Sequence, residues 1–223
     1  GYRAIAEKNK DIRLYSRNGI SFLDRFPLIA SELEKLKHVC ILDGEIVWLT
    51  EKGTADFQQL QNYDPANEKG SLVYQVFDLL SLDGRSTTSL PLLQRKELLK
   101  KLLSNNKILR FNDHIIGKGI DFFDVAKKNG LEGIIAKKTD DTYHIGIRTR
   151  SWIKLKNKNT DDVTVVGYTA PKKARGYFGS LLLGKKISGQ WKFWGHVGTG
   201  FTAKELHFIY QWLQRITTTR SPF

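Results

Sequence analysis

Two lysines, Lys154 and Lys156, stand one residue apart in the run Trp-Ile-Lys-Leu-Lys that ends at residue 156. In an extended strand alternate side chains leave the same face, so both ammonium groups project together while Ile153 and Leu155 turn toward the core. Two like charges so close repel unless an anion bridges them, and a triphosphate or a phosphoryl group in transfer is such an anion. The same spacing also suits the solvated outer face of a strand. Asp43 and Glu45 repeat the arrangement with carboxylates in Leu-Asp-Gly-Glu-Ile-Val, where Gly44 permits close approach of a ligand or another backbone. Glu132, in Leu-Glu-Gly-Ile-Ile, is a third acid at the start of a run expected to be a buried strand. Buried carboxylates need partners, and a divalent cation, ribose hydroxyls or structural salt bridges each supply them. Arg17, in Ser-Arg-Asn-Gly, precedes an Asn-Gly turn, where a guanidinium can grip a phosphate through two hydrogen bonds. Phe77, in Val-Phe-Asp, reads by itself as a core aromatic.

These groups must be held by elements that the sequence also signals. Strand-like runs cover 3–6, 12–16, 40–49, 72–80, 108–111, 133–137 and 152–155. Helical spacing covers 26–36, 92–103 and 122–129, the last with Gly130 placed to cap its C-terminus. Strands and helices mix without strict alternation, which predicts an α+β domain rather than a doubly wound sheet. The polar, turn-like stretch 157–162 marks a boundary and gives domains 1–157 and 158–223. Beyond it, 163–168, 179–187 and 190–197 read as strands, with Ser188-Gly189 as a hairpin turn. The span 203–216 reads as a helix capped by Thr202, with Glu205 in its third position. Short strands and one helix in so small a domain fit a β-barrel of the oligonucleotide-binding (OB) kind.

The 223 residues carry 36 Lys+Arg against 23 Asp+Glu, a formal net charge of +13, which favours a polyanionic partner, nucleic acid first. Beyond residue 157 ten Lys+Arg face three Asp+Glu, so the smaller domain is the expected contact for a phosphate backbone. A hydrophobic content of 40% excludes a disordered chain. The single cysteine, Cys40, excludes an internal disulfide and a cysteine-based metal site, and in its apolar run it reads as a buried small hydrophobe. No apolar stretch approaches the roughly 20 residues that span a bilayer, and no signal layout opens the chain, so a cytoplasmic protein is expected. The chain opens on Gly1 rather than Met and enters strand-like sequence at once, as expected of a segment cut from a longer protein.

In order and spacing the chain resembles the covalent nucleotidyltransferases, which include ATP-dependent DNA ligases, RNA ligases and mRNA capping enzymes. Gly1-Tyr-Arg3 resembles the end of the nucleophile motif Lys-x-Asp-Gly-Tyr/Phe-Arg. Ser16-Arg-Asn-Gly19, Leu42-Asp-Gly-Glu45, Val76-Phe-Asp78, Leu131-Glu-Gly-Ile134 and Trp152-Ile-Lys-Leu-Lys156 resemble the next five motifs in family order. Asp56-Phe-Gln-Gln-Leu60, the segment from Tyr143 to Trp152, Gly176-Tyr-Phe-Gly-Ser-Leu181 and Gly195-His-Val-Gly-Thr-Gly-Phe201 are similar to the ligase domain of the bacterial end-joining ligase D group in particular.

The resemblance implies a nucleotidyltransferase (adenylation) domain with antiparallel sheets and flanking helices, followed by an OB-fold domain. It implies that ATP and a divalent metal, Mg or Mn, adenylate the motif lysine. AMP then passes to the 5′-phosphate of a nick, which the 3′-hydroxyl attacks and seals. Carried over by motif, Phe77 stacks on adenine, Glu45 bonds the ribose, and Lys154 and Lys156 hold the α-phosphate. Glu132 binds the metal, with Asp43 as a second candidate, Arg3 contacts the nucleotide and Arg17 the nick phosphate. By the family spacing the nucleophilic lysine falls three residues before Gly1 and a closing basic motif falls beyond Phe223, so the 223-residue chain is expected not to adenylate itself. The implied setting is DNA repair by end joining on the bacterial nucleoid. The implied form is a monomer acting on nicked or broken duplex DNA, away from membranes, with a Ku-like end-binding protein as partner. Two alternatives remain at this level: an RNA ligase or capping-type enzyme, and a non-catalytic basic DNA-binding module. The paired acids weigh against the second, since DNA binding alone needs no buried carboxylates.

Overall fold

The computed structural model describes residues 1–66, 70–147, 149–157, 160–171, 176–218 and 220–221. Two compact units divide the chain, Gly1–Asn157 and Lys158–Phe223. The polar stretch expected to mark a boundary includes 158–159, which lie outside the described residues.

In the first unit the strand-prone runs pair with one another. Strands β1 (Tyr2–Lys8), β2 (Ile12–Ser16), β3 (Cys40–Thr50), β4 (Gly70–Leu82) and β5 (Arg85–Ser86) lie antiparallel in the order β2-β1-β3-β4-β5. Strand β6 (Leu109–Phe111) joins β4 in parallel and makes the sheet mixed. Helices α1 (Pro27–Glu34) and α3 (Leu92–Leu102) lie against the sheet and close one core, in which Ala4, Phe26, Ile29, Leu42, Ile46, Tyr74, Val76 and Leu99 are wholly buried. Proline in the first turn suits α1, because that position needs no amide donor. Between β3 and β4 a five-residue helix, α2 (Phe57–Gln61), is capped by Asp56, whose carboxylate accepts from the Gln59 amide at 3.0 Å. So short a helix carries no readable period.

Helix α4 (Gly119–Lys128) begins three residues before the expected span and packs on β7 (Gly133–Lys137). Its end is a glycine stop: Gly130 has φ 69°, its amide donates to Lys127 O, and the Leu131 amide donates to Ala126 O. That turn hands the chain to β7, which pairs antiparallel with β8 (Trp152–Lys156) as a separate two-stranded sheet. Here the structure corrects the sequence reading. Ile153 and Leu155 do not enter a core but stay 53% and 40% exposed, and the Glu132 side chain is 75% exposed. An isolated hairpin has one helix to lean on and too little apolar cover for both faces.

The second unit holds β9 (Thr164–Tyr168), β10 (Leu181–Ile187) and β11 (Gln190–Val197) in the antiparallel order β11-β10-β9. Ser188 and Gly189, at φ 49° and 82°, make the tight turn between β10 and β11, where two positive φ values match the right-handed strand twist. Helix α5 (Ala203–Ile216) starts with a reciprocal cap in which Thr202 Oγ1 accepts from the Glu205 amide and Glu205 Oε2 accepts from the Thr202 amide. Leu213 of α5 packs with Phe178 and Leu181 in a small core. Where a barrel is expected, the described residues supply an open three-stranded sheet and this helix. No helix among the described residues is long and apolar enough to cross a membrane.

Gly44, between the two acids of β3, serves packing. A Cβ there would lie 2.5 Å from Tyr74 Cε2 and 2.7 Å from Gln75 O. The Tyr74 ring cannot retreat, because it is wholly buried and its hydroxyl donates to Ala4 O at 2.8 Å and Leu42 O at 3.2 Å. Gly44→Ala is therefore expected to lower unfolding stability by about 1–3 kcal/mol, read from urea denaturation, by overpacking the sheet centre.

Candidate functional site

Arg3 lies opposite Glu45 across β1 and β3, and its side chain reaches diagonally to Asp43, two residues along. The guanidinium grips Asp43 with two bonds, Nε to Oδ1 at 3.0 Å and Nη2 to Oδ2 at 2.7 Å. The Tyr143 hydroxyl donates to the same Oδ2 at 2.7 Å. Asp43 is fully buried, so both oxygens need these donors. The bonds from Asp43 raise the Arg3 guanidinium above its already high range. Burial first, and then the charge of Asp43, pushes the Tyr143 hydroxyl far up, so it remains a donor. Asp43, the second candidate metal ligand, is thus committed within the protein, whereas Glu45 keeps a side chain 48% exposed.

Phe77 owes its direction to an irregularity in β4. Asp43 faces Asp78 and Gly44 faces Val76, so Phe77 is the extra residue of a β-bulge. Its ring meets Trp152 edge-on, with centroids 5.7 Å apart, and is not one of the core residues the isolated sequence suggests. The neighbouring Asp78 is fully buried and held by the fully buried Arg95, Nε to Oδ1 at 2.7 Å and Nη2 to Oδ2 at 3.1 Å. Arg95 Nη1 also donates to Asp141 O at 3.1 Å, on the segment that carries Tyr143.

The β7–β8 hairpin presents the lysines. Opposite residues of an antiparallel pair share a face, and the register sets Gly133 opposite Lys156, Ile135 opposite Lys154 and Lys137 opposite Trp152. One face therefore carries Lys137, Trp152, Ile135, Lys154 and Lys156. Lys154 Nζ donates to Glu132 Oε1 at 2.9 Å, and this bond lowers the Glu132 carboxyl below its usual value. The pair is exposed, so an incoming phosphate can exchange for it at little cost. Lys137 differs: its Nζ is shielded from solvent, has no hydrogen-bond partner among the described residues, and rests 3.5 Å from the Trp152 ring centre and 4.3 Å from that of Phe77.

Arg17 follows β2 in a turn closed by the Gly19 amide on Ser16 O, and Ser16 Oγ accepts from the Ile20 amide at 3.1 Å. It is exposed and makes no ion pair among the described residues. Arg3, Arg17, Tyr143, Trp152 and Lys154 line one cavity of about 470 Å³. Phe77, Glu45, Glu132 and Lys156 are not among the residues that line it. Among the described residues no three His, Cys, Asp or Glu side chains cluster as a metal cage. A cationic cavity beside two aromatic rings suits a ligand that has both phosphate and a planar ring.

The chain matches two families along its length: residues 1–156 match "ATP dependent DNA ligase domain" and residues 174–223 match "ATP dependent DNA ligase C terminal region". The chain belongs to the ATP-dependent DNA ligases. Over its full length this ligase sequence is 36% identical to the Mycobacterium bovis "Multifunctional non-homologous end joining protein LigD". It is 34% identical to the Pseudomonas aeruginosa protein of the same name. It spans 29% and 27% of those relatives. The solved structure of "mycobacterial DNA ligase D complexed with ATP and MES" shares 36% identity at a TM-score of 0.66, covering 100% of this chain and 72% of that one. A Lig E DNA ligase structure, 19% identical with a TM-score of 0.62, shares the fold over 93% of this chain and 77% of its own. The α+β nucleotidyltransferase architecture expected from the sequence is that of these ligases.

Sequence reading gave this ligase site no role for Tyr143, Trp152, Asp78, Arg95 or Lys137. Trp152 was within reach, since strand alternation puts it on the Lys154 face. Tyr143 and Arg95 carry no spacing signal, because their partners lie 100 and 17 residues away.

Lys137 gives a pH signature. Burial, with Asp78 and Asp43 opposing it and Lys96 and Arg3 reinforcing it, pulls the Lys137 ammonium down from 10.5 to about 7. Between these values the unfolded chain binds a proton that the folded one lacks, so this group adds stability as pH rises across the window. Urea denaturation of the native protein and Lys137→Met at pH 6, 7.5 and 9 is expected to show the native stability gaining on the variant from pH 7 upward.

Proposed function

We propose that this chain supplies the nucleotide-binding and DNA-contacting parts of a ligase that seals nicks or breaks in duplex DNA. In this reading 1–157 is the adenylation domain, 158–223 belongs to the OB-fold domain, and the reaction runs through enzyme-AMP and DNA-adenylate. The observation that carries it is the lysine face of β7–β8 beside the Arg3, Arg17 and Tyr143 cavity, within a family of ATP-dependent DNA ligases.

Each phosphoryl transfer of such a reaction is an in-line displacement, where positioning and charge neutralisation do most of the work. Lys154 and Lys156 hold the α-phosphate, Lys154 leaving Glu132 as the phosphate arrives. Phe77 offers its ring to adenine, and the exposed Glu45 accepts from the ribose hydroxyls. Arg17 grips the 5′-phosphate of the nick. Arg3, already bonded to Asp43, lines the cavity and contacts the nucleotide from that fixed position. A magnesium or manganese ion brought in with ATP fits one carboxylate, Glu132, because such ions keep water and phosphate oxygens as their remaining ligands. When bound it neutralises phosphate charge. The basic segment beyond 157 contacts the DNA backbone, and binding should weaken steeply with salt. The reading extends to end joining on the bacterial nucleoid, by a monomer that a Ku-like protein recruits.

A nick that already carries 5′-AMP isolates the sealing step, to which these residues contribute directly. With magnesium, the protein is expected to seal it, and Lys154→Ala is expected to seal at least about 100-fold more slowly with unchanged duplex binding. Salt-sensitive duplex binding without sealing, by the native protein, would reduce it to a DNA-binding module.

A further inference from the structure

The helix-covered face of the central sheet carries a second basic cavity. Neighbouring residues of a strand point to opposite faces, so Arg3 and Ala4 of β1 mark the two sides of the sheet. Arg3 lines the candidate nucleotide cavity, whereas Ala4 lies in the core with residues of α1 and α3. On that core, between the end of α1 and the last turns of α3, is a cavity of about 450 Å³. Its floor is apolar: Leu36, Leu82, Leu98 and Leu102 pack on the core yet stay partly exposed. Its other lining residues are the exposed Lys35, Lys37, His38 and Lys101, and no carboxylate is among them.

The cavity wall is held in place before any ligand arrives. The Asp83 amide donates to Val39 O at 2.7 Å, the Val39 amide donates to Asp83 Oδ1 at 3.2 Å, and His38 Nδ1 meets Asp83 Oδ2 at 2.8 Å. The segment 37–39 is thus pinned to the turn after β4, which leaves little to order on binding. Lys35 is engaged by Glu32 at 2.6 Å. Lys37 and Lys101 make no ion pair among the described residues. Lys101 suits the last turn of α3, where a cation complements the helix dipole, but Lys37 stands in no helix.

The two halves of the cavity together select a ligand. A free inorganic anion has no use for four leucines, and an uncharged apolar group has none for the cations. A nucleic-acid strand would bring phosphates, but the lining has no aromatic ring on which a base could stack. An acidic peptide with apolar anchors satisfies both halves, in the way amphipathic helices lie in apolar grooves. We infer that this cavity docks an acidic amphipathic segment of a partner protein, its apolar side chains on the leucines and its carboxylates at Lys37 and Lys101. The nucleotide cavity, on the other side of the sheet, stays open while the partner is held, so the site recruits without blocking. The inference does not depend on the nucleotide reading.

Fluorescence anisotropy of a labelled synthetic peptide, built from Glu-Glu and Leu-Leu pairs at helical spacing, tests it at low ionic strength, where exposed charges are least screened. The native protein is expected to bind the peptide, and Lys37→Glu with Lys101→Glu to bind it about 10-fold or more weakly. Because the chain carries +13 overall, Lys52→Glu with Lys128→Glu makes the same change in net charge at exposed positions outside the cavity. That control should stay within about twofold of native, and a peptide with serine for leucine should bind the native protein about 10-fold more weakly. No binding by the native protein, equal losses in the two double variants, or undiminished binding of the serine peptide would overturn the proposal. So would a larger loss for oligo-dT than for the peptide in Lys37→Glu with Lys101→Glu, which would assign the cavity to a phosphate backbone. Should that double variant fail to fold, Lys37→Glu alone is read against Lys52→Glu, with the same ordering expected.

Discussion

Two carboxylates, Asp43 and Asp78, face each other across the central strands β3 and β4, and both are fully buried. Like charges in opposed positions of a sheet repel, and neither can reach water. Each is held by its own guanidinium with two bonds, Asp43 by Arg3 and Asp78 by Arg95. Removing either arginine would leave a buried charge uncompensated, a far larger loss than a surface ion pair involves. The two pairs then meet on one segment: Arg95 donates to Asp141 O, and Tyr143, two residues on, donates to Asp43. An ionic frame in the sheet thus fixes the segment that leads into β8, and with it the Lys154 and Lys156 face.

The frame also places the aromatic pair. Phe77 is the bulge residue beside Asp78, and Trp152 is the first residue of β8, so one ring is anchored by the sheet and the other by the hairpin. Their edge-on contact, with Arg3 5.8 Å and 5.9 Å from the two ring centres, joins the parts. On the scaffold side the two carboxylates, Asp43 and Asp78, are therefore buried and paired, while the ligand side is exposed and exchangeable, as with Lys154 on Glu132. That division suits a site that must hold its geometry while phosphate, metal and DNA pass through it.

Much of this was legible before any coordinates. The lysine pair, the acid pair and the Arg-Asn-Gly turn are short-range patterns with a chemical reason for their spacing. The mixed order of strands and helices was enough for the α+β class, and Thr202 with Glu205 announced the start of α5. What the sequence withheld depends on partners distant in the chain. Asp43 looked free for a metal until Arg3 and Tyr143 were seen on it. Glu132 and the apolar residues of β8 looked buried because alternation reports a strand but not whether a second layer covers it. Lys137 looked like the end of a strand, and only the register with Trp152 brings it under an aromatic pair.

The dependence of the nucleotide face on the buried frame can be measured at Arg95, which is fully buried and does not itself line the cavity. ATP affinity of Arg95→Met, taken by calorimetry at a temperature where the variant remains folded by circular dichroism, is the direct observable. The expected result is binding about tenfold weaker than native, because the Tyr143 segment loses its anchor. Native affinity in a folded but less stable variant would contradict the claim that the two buried pairs set the site.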